Sequence, residues 1–302
     1  MSCLICGSLA FDNIMRFEGR FADAILPNQL HQLNVSFYVP NLKREFGGCA
    51  GNIAYSLRLL GGTPVPMATL GLDGVDYRIR LEEQGISTQF IRVIPDTVTA
   101  MAMIMTDNDN NQITAFHPGA MASAHQNKIQ MQSSDIKLAI ISPDGRQAMV
   151  EHSQQLAAAG IPFVFDPGQA IPMFDGADLR QFIELATWVT VNDYEAKMLS
   201  DRTGWSERDI AAKVKGYAIT LGERGAKIWE GQSSTLVQAN QPENVMDPTG
   251  CGDAWRGGLL FGLEQGWSLN RCALLGNQLA ALKIATQGGQ NYHLTADFSG
   301  LR

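Results

Sequence analysis

The sequence predicts an α/β protein, a mainly parallel sheet covered by helices on both faces and carrying a small lid of β-strands. Three observations predict it. From residue 138 onward, short apolar runs alternate with helical segments, the order that parallel strands joined by crossover helices require. The runs 4–10 and 163–165 are nearly continuous in apolar residues, as strands buried on both faces are. Two stretches, about 13–46 and 97–117, break the alternation with strand-like content and read as excursions that could build one lid.

Composition sets the outer bounds. At 302 residues, 45% hydrophobic and 18% charged, the chain can bury a large core and reads as a single domain over 1–302. A net charge of -7 without a basic run argues against nucleic-acid partners, because backbone binding needs clustered Lys and Arg. The five cysteines, at 3, 6, 49, 251 and 272, are odd in number and scattered, which fits a reducing compartment. Cys3 and Cys6 match C-x-x-C by spacing, yet in a strand such positions face opposite sides, so both are assigned to core packing. The N-terminus lacks a basic n-region and no apolar run approaches membrane-spanning length, so a cytoplasmic protein without a membrane partner is expected.

Taken in order, 4–10 is the first strand, with Asp12 at its carboxyl end. Ligands of open α/β sheets bind there, so Asp12 is either a grip for substrate hydroxyls or a turn-forming residue. Residues 34–39 have strand-like content, punctuated by Pro27 and Pro40. A glycine turn, 46–51, runs into a helix with Ile53, Leu57 and Leu60 on one face and stops at Gly61-Gly62. Its glycines either allow close helix packing or, with Asn52, bring backbone and an amide against a bound polyol. A strand at 65–70 and a helix at 77–84 follow. Residues 97–106 and 112–116 form a hairpin around the polar turn 107–111, and Met101, Met103 and Met105 give it a soft apolar face that is either core or closes over a ligand. Strands at 138–141, 163–165, 188–191 and 217–220 then alternate with helices at 146–158, 179–186 and from Asn192. Ser206 to Asp209 opens another helix with a near capping box, and 226–229 begins a hairpin.

The stretch Asp247-Pro248-Thr249-Gly250-Cys251-Gly252-Asp253 ends a polar loop and opens a helix that continues through 259–263. Unpaired amides gather at such a start, and glycines at 250 and 252 let backbone approach an anion such as phosphate. A carboxylate beside a phosphate nest is repelled by the ligand. If phosphate binds, Asp253 therefore suits a proton acceptor for an attacking hydroxyl; otherwise it is a helix N-cap. The chain has no G-x-x-x-x-G-K-[ST], and Gly250-Cys251-Gly252 lacks the third glycine of G-x-G-x-x-G.

The order of motifs resembles the ribokinase or PfkB family of small-molecule kinases. Gly47-Gly48-Cys49-Ala50-Gly51-Asn52, with Gly61 and Gly71, matches its first signature, and Asp247 to Asp253 matches its second, with Cys251 where a small residue is usual. Asn192-Asp193-Tyr194-Glu195 is similar to the family's N-x-x-E, and Thr220 to Gly225 to its T-x-G-x-x-G nucleotide loop. Residues 35–40, 47–52 and 115–121 look most like bacterial adenosine kinases. The resemblance implies a three-layer ribokinase-like α/β/α sandwich with a β lid, and transfer of phosphate from ATP to the ribose 5'-hydroxyl of adenosine. In that reading Asp12, Gly48 and Asn52 hold the ribose, while Val39 and Phe116 offer apolar surface to the purine. Asp253 is the base, and the amides of Gly250, Cys251 and Gly252 form the anion hole. Asn192 and Glu195 help place Mg2+, while Thr220, Gly222, Gly225 and Asn277 line the nucleotide site. A monovalent cation is a further cofactor it could use, and exposed lid strands could pair in a homodimer. Another sugar or broad nucleoside kinase, and a non-catalytic nucleoside or sugar sensor, are the alternative readings.

Overall fold

The computed structural model describes residues 2–25, 34–109, 111–129 and 136–294; Pro27 and Asn110 lie outside them. Among these residues the main sheet contains β1 (Ser2–Cys6), β4 (Pro64–Leu70), β5 (Phe90–Val93), β8 (Ile136–Ile141), β9 (Phe163–Phe165), β10 (Trp188–Asn192), β11 (Gly216–Thr220), β12 (Ala226–Glu230) and β13 (Ser233–Val237), in the order β13-β12-β11-β10-β9-β8-β1-β4-β5. The pairs from β5 to β11 are parallel, and β12 and β13 close one edge as an antiparallel hairpin. Strand order reverses at β1, which lies between β4 and β8. That switch opens a crevice beyond the carboxyl ends of the strands.

Two apolar layers sandwich this sheet. Cys3 and Ile5 of β1 pack into one core with α2 (Cys49–Leu59), α3 (Val75–Glu83), α8 (Cys251–Glu264) and α9 (Leu269–Ile284). Leu4 and Cys6 face the other, built on α4 (Arg146–Ala158), α5 (Gly176–Leu185), α6 (Asp193–Thr203) and α7 (Glu207–Ala211). The two thiols of the C-x-x-C spacing thus lie on opposite faces, as strand periodicity requires. Each fully buried Leu, Ile or Phe contributes about 1.5–3 kcal/mol, so these layers supply most of the folding drive.

The run 4–10 is not one strand. β1 ends at Cys6, and the chain leaves the sheet at Gly7, where a Cβ would lie 2.2 Å from Ser142 Oγ. It starts again as β2 (Ala10–Arg16), so Asp12 stands inside a strand of a second sheet rather than in a turn. That sheet has the order β3-β2-β6-β7, with β3 (Leu42–Gly47), β6 (Ala100–Thr106) and β7 (Gln112–His117). Its β2–β6 pair is parallel and its other pairs antiparallel. The two excursions from the main body therefore meet in one sheet, although the first begins at Ala10. Residues 34–39 form no strand despite their composition, because among the described residues no neighbouring strand pairs with them; Phe37 instead packs edge-on to Phe17 and to Phe21 of the short helix α1 (Phe21–Ala24).

Candidate active site

A cleft of about 940 Å³ opens where the strand ends, the second sheet and the starts of α2 and α8 converge. Ser8, Asp144, Asp166, Asn192 and Thr220, which end or follow β1, β8, β9, β10 and β11, form its floor. Asp12, Ala102 and Phe116, consecutive partners across β2, β6 and β7, face it from the second sheet. Strand parity decides this face. Met101, Met103 and Met105 project to the other side, so the methionine stripe does not line the cleft; Met101 packs against the core instead. Val39 is also absent from the lining.

Asp247 shapes the turn before α8. Its Oδ1 accepts from the Thr249 amide at 2.8 Å and its Oδ2 from the Gly288 amide at 2.8 Å. Burial pushes its carboxyl up, but those amides and nearby Lys283 outweigh it and hold it below the usual carboxylate range. Fully buried Lys283 donates to the carbonyls of Asp247 (2.7 Å) and Thr286 (3.0 Å). Gly250 is the helix N-cap in a left-handed conformation, φ 79°, which favours glycine. Asp253 is consequently the third residue inside the helix, which excludes the simple capping role. The Cys251 amide is occupied by Pro248 O at 3.2 Å, and its thiol turns toward Asp247 O, away from the cleft. The amides of the N-cap Gly250 and of Gly252 and Asp253 in the first turn have no backbone acceptor among the described residues, so Cys251 drops out of the expected set of open amides and Asp253 enters it.

Asp253 is tied to α2: its Oδ2 accepts from Asn52 Nδ2 at 2.8 Å. Burial pushes its carboxyl up and Glu195 adds to the rise, while Arg256 and the Asn52 bond oppose it. Asp12 across the cleft is pushed up to about 6, by burial first and then by Asp253, Asp247 and Glu45. Gly48 and Asn52 line the cleft beside it.

Two further groups belong to the site. Arg256, three residues beyond Asp253 on the same helix face, clamps Asp166 with Nη2 to Oδ1 at 2.5 Å and Nε to Oδ2. It also approaches Glu195 Oε2 at 4.0 Å. The i, i+3 spacing from Asp253 and the Asp-Pro-Gly turn after a buried strand were the available sequence signals for this pair. Asn192 and Glu195 form a reciprocal capping box at the start of α6, with Asn192 Oδ1 accepting from the Glu195 amide at 2.7 Å and Glu195 Oε2 from the Asn192 amide at 2.8 Å. Both line the cleft, as do Thr220 and Gly222.

Gly225 and Asn277 lie outside the lining. Gly225, φ 92°, serves the β11–β12 turn, where a Cβ would meet Val237 O at 2.0 Å. Asn277 is a structural bracket: its Oδ1 accepts from Trp255 Nε1 at 3.0 Å and its Nδ2 donates to Gln238 O at 2.8 Å, joining α8, α9 and the chain after β13. Their sequence spacing carried no information about these tertiary partners. No group of three or more His, Cys, Asp or Glu able to hold a metal occurs among the described residues. One oxygen of Glu195 is committed to its cap, so this donor set suits a magnesium ion that arrives with a nucleotide and keeps its waters, rather than a protein-held one.

Fold and site together define the class, a ribokinase-like α/β protein. The chain belongs to the pfkB family of carbohydrate kinases, whose model matches residues 15–296. A solved nucleoside kinase of Burkholderia thailandensis in complex with inosine is 55% identical, with a TM-score of 0.87 over 96% of this chain and 93% of that one. The nucleoside kinase of Methanocaldococcus jannaschii is 27% identical over 260 residues, 85% of each chain. An adenosine kinase of Sinorhizobium meliloti, 23% identical with a TM-score of 0.75 over 96% of this chain and 95% of that one, shares the fold. No helix among the described residues is long and apolar enough to cross a membrane.

Proposed function

We propose that the protein is an ATP-dependent nucleoside kinase that phosphorylates the ribose 5'-hydroxyl of a purine nucleoside, adenosine being converted to AMP with release of ADP. The observation that carries this reading is the placement of Asp253: a carboxylate held by Asn52 beside the free first-turn amides of α8, opposite Asp12 on the second sheet. Asp12, Gly48 and Asn52 hold the ribose, and half-exposed Phe116 offers its ring to the base. Asp253 takes the 5'-hydroxyl proton as that oxygen bonds the γ-phosphorus and the bond to the β-γ bridging oxygen breaks. The amides of Gly250, Gly252 and Asp253 meet the charge on the transferring group, and Thr220 and Gly222 border the nucleotide. Magnesium bound with ATP would neutralise phosphate charge there, with Asn192 and Glu195 holding its waters. Closure of the second sheet as a lid would exclude water.

Inosine bound to the 55% identical Burkholderia enzyme supports a purine acceptor and adds inosine to the expected substrates. That enzyme's complex with ADP-inosine is in keeping with ATP as donor. A homodimer through the lid belongs to the same reading, since β3 and β7 are the sheet's edges and every residue of β7 is exposed. The deciding experiment is ADP release with Mg2+ and ATP across adenosine, inosine, guanosine, cytidine, ribose and fructose 6-phosphate, with product masses. Nucleoside monophosphates from the purines are expected. Preference for a free sugar would retire the purine pocket, and binding without turnover would favour a sensor.

A further inference from the structure

Behind Asp253 lies a chain of hydrogen bonds that the expected site residues do not account for. Asn52 gives its Nδ2 to Asp253, which leaves its Oδ1 facing the interior. There it accepts from Gln290 Nε2 at 3.1 Å, and the same nitrogen donates to Tyr77 Oη at 2.7 Å. Tyr77 in turn donates to the carbonyl of Gly47 at 2.5 Å. The directions are forced. The Gly47 carbonyl can only accept, so the Tyr77 hydrogen is spent there and its oxygen must accept from Gln290; the amide nitrogen of Gln290 then meets Asn52 Oδ1 and holds Asn52 Nδ2 toward the carboxylate.

We propose that Gln290, on the segment after α9, is a positioning residue that locks the Asn52 amide in the one orientation that donates to Asp253. The inference deepens the kinase reading and rests on it for the role of Asp253 as base.

Two observations argue that this is more than packing. Gln290 is 1% exposed and its Oε1 has no hydrogen-bond partner, a cost that an apolar side chain of similar shape would avoid. What glutamine supplies that such a side chain would not is a nitrogen directed at both Tyr77 and Asn52. The space around the chain is also reserved for it: a Cβ on Gly51 would lie 2.0 Å from Tyr77 Oη, and one on Gly289 would lie 2.5 Å from Asn52 Oδ1. The charged groups acting with Asp253 are Arg256 on its own helix, Asp12 on β2, Asp166 after β9 and Glu195 on α6. The thiols of Cys49 and Cys251 and the phenols of Tyr77 and Tyr292 are all pushed up by burial and stay neutral. None of these is removed when Gln290 is changed to methionine, which keeps length and apolar bulk but no donor.

The test is the titration of the Asp253 carboxyl, read by infrared difference spectroscopy against Asp253→Asn, in the wild type and in Gln290→Met. Loss of the lock weakens the bond that favours ionised Asp253, so the midpoint is expected to rise by about one pH unit, roughly a tenfold change in the proton equilibrium. In turnover, the acid limb of kcat should move the same way while KM for ATP changes less than about twofold. An unmoved midpoint overturns the proposal, whatever happens to the melting temperature. Should Gln290→Met not fold, Tyr77→Phe removes the acceptor at the other end; a smaller rise supports the proposal and no rise overturns it. A shifted carboxyl titration in a protein that phosphorylates no nucleoside would sink the kinase reading and leave the positioning role standing.

Discussion

Asp12 and Asp253 act on each other across the cleft, and their protonation gives the sharpest residue-scale predictions. Asp12 is held at about 6 against an ordinary 3.8, so its ionised form is disfavoured in the folded protein. Its contribution to stability is full below about pH 4 and is lost as pH rises through 6. Substrate binding runs the other way, because a hydroxyl donates to the carboxylate and not to the acid. KM for the nucleoside should therefore rise as pH falls through 6. Asp12→Asn should unfold at higher denaturant than wild type at pH 7 and bind nucleoside roughly 10- to 100-fold more weakly, the range for a hydrogen bond to a charged group. Asp253→Asn should keep the fold and bind substrate yet lose roughly 10²–10⁴-fold in kcat; near-normal turnover would remove it as the base. The position of Asp253 was legible because glycine spacing marks a helix start, and Asp253 does lie in the first turn of that helix. Arg256 and Asp166 were not, since their pairing spans 90 positions of chain.

Elements decide whether these carboxylates sit where the chemistry needs them. α8 carries Asp253 and Arg256, and it lies against α9 so closely that a Cβ on Gly258 would be 2.8 Å from both the nitrogen and the Cα of Gly276. Gly258→Ala should accordingly push the helices apart, lowering stability by about 1–3 kcal/mol, with kcat falling as α8 shifts. Unfolding curves beside steady-state rates would check both, and a variant with unchanged stability would show that the contact yields easily. Helix starts were the most readable elements. The cap at Ser206 appears as expected, its side chain paired reciprocally with Asp209. Asn192 and Glu195 show how a motif is read twice, for the two residues that line the cleft also build the first turn of α6 through their capping box. Strand content misled at 34–39 and at 7–9, where among the described residues no neighbouring strand pairs with the chain, and pairing is what makes a strand.

At the scale of the whole molecule, the second sheet stands over the cleft and presents Asp12 and Phe116 from different strands. Phe116 is 49% exposed, large for an aromatic ring with no partner to cover it. Phe116→Ala should raise KM for purine nucleosides by roughly 2- to 10-fold and leave KM for ATP little changed, as the loss of one aromatic contact predicts. Equal effects on both substrates would place the ring elsewhere in the cycle. The exposed β7 edge bears on assembly: light scattering is expected to show a dimer that Ile113→Lys weakens, and a wild-type monomer would remove edge pairing.

From the sequence alone came the parallel α/β body, the two interruptions and the glycine-marked helix start with its carboxylate. Each is written in periodicity or in short-range spacing, and such signals survive without knowledge of distant partners. The tertiary structure decided which face of β6 meets the cleft, that Asp12 belongs to a strand of the second sheet, that Asn277 and Gly225 support rather than line the site, and that Gln290 stands behind Asn52. Strand parity, register and hydrogen bonds between residues more than 200 positions apart determine those outcomes. They come into being only when the chain closes on itself.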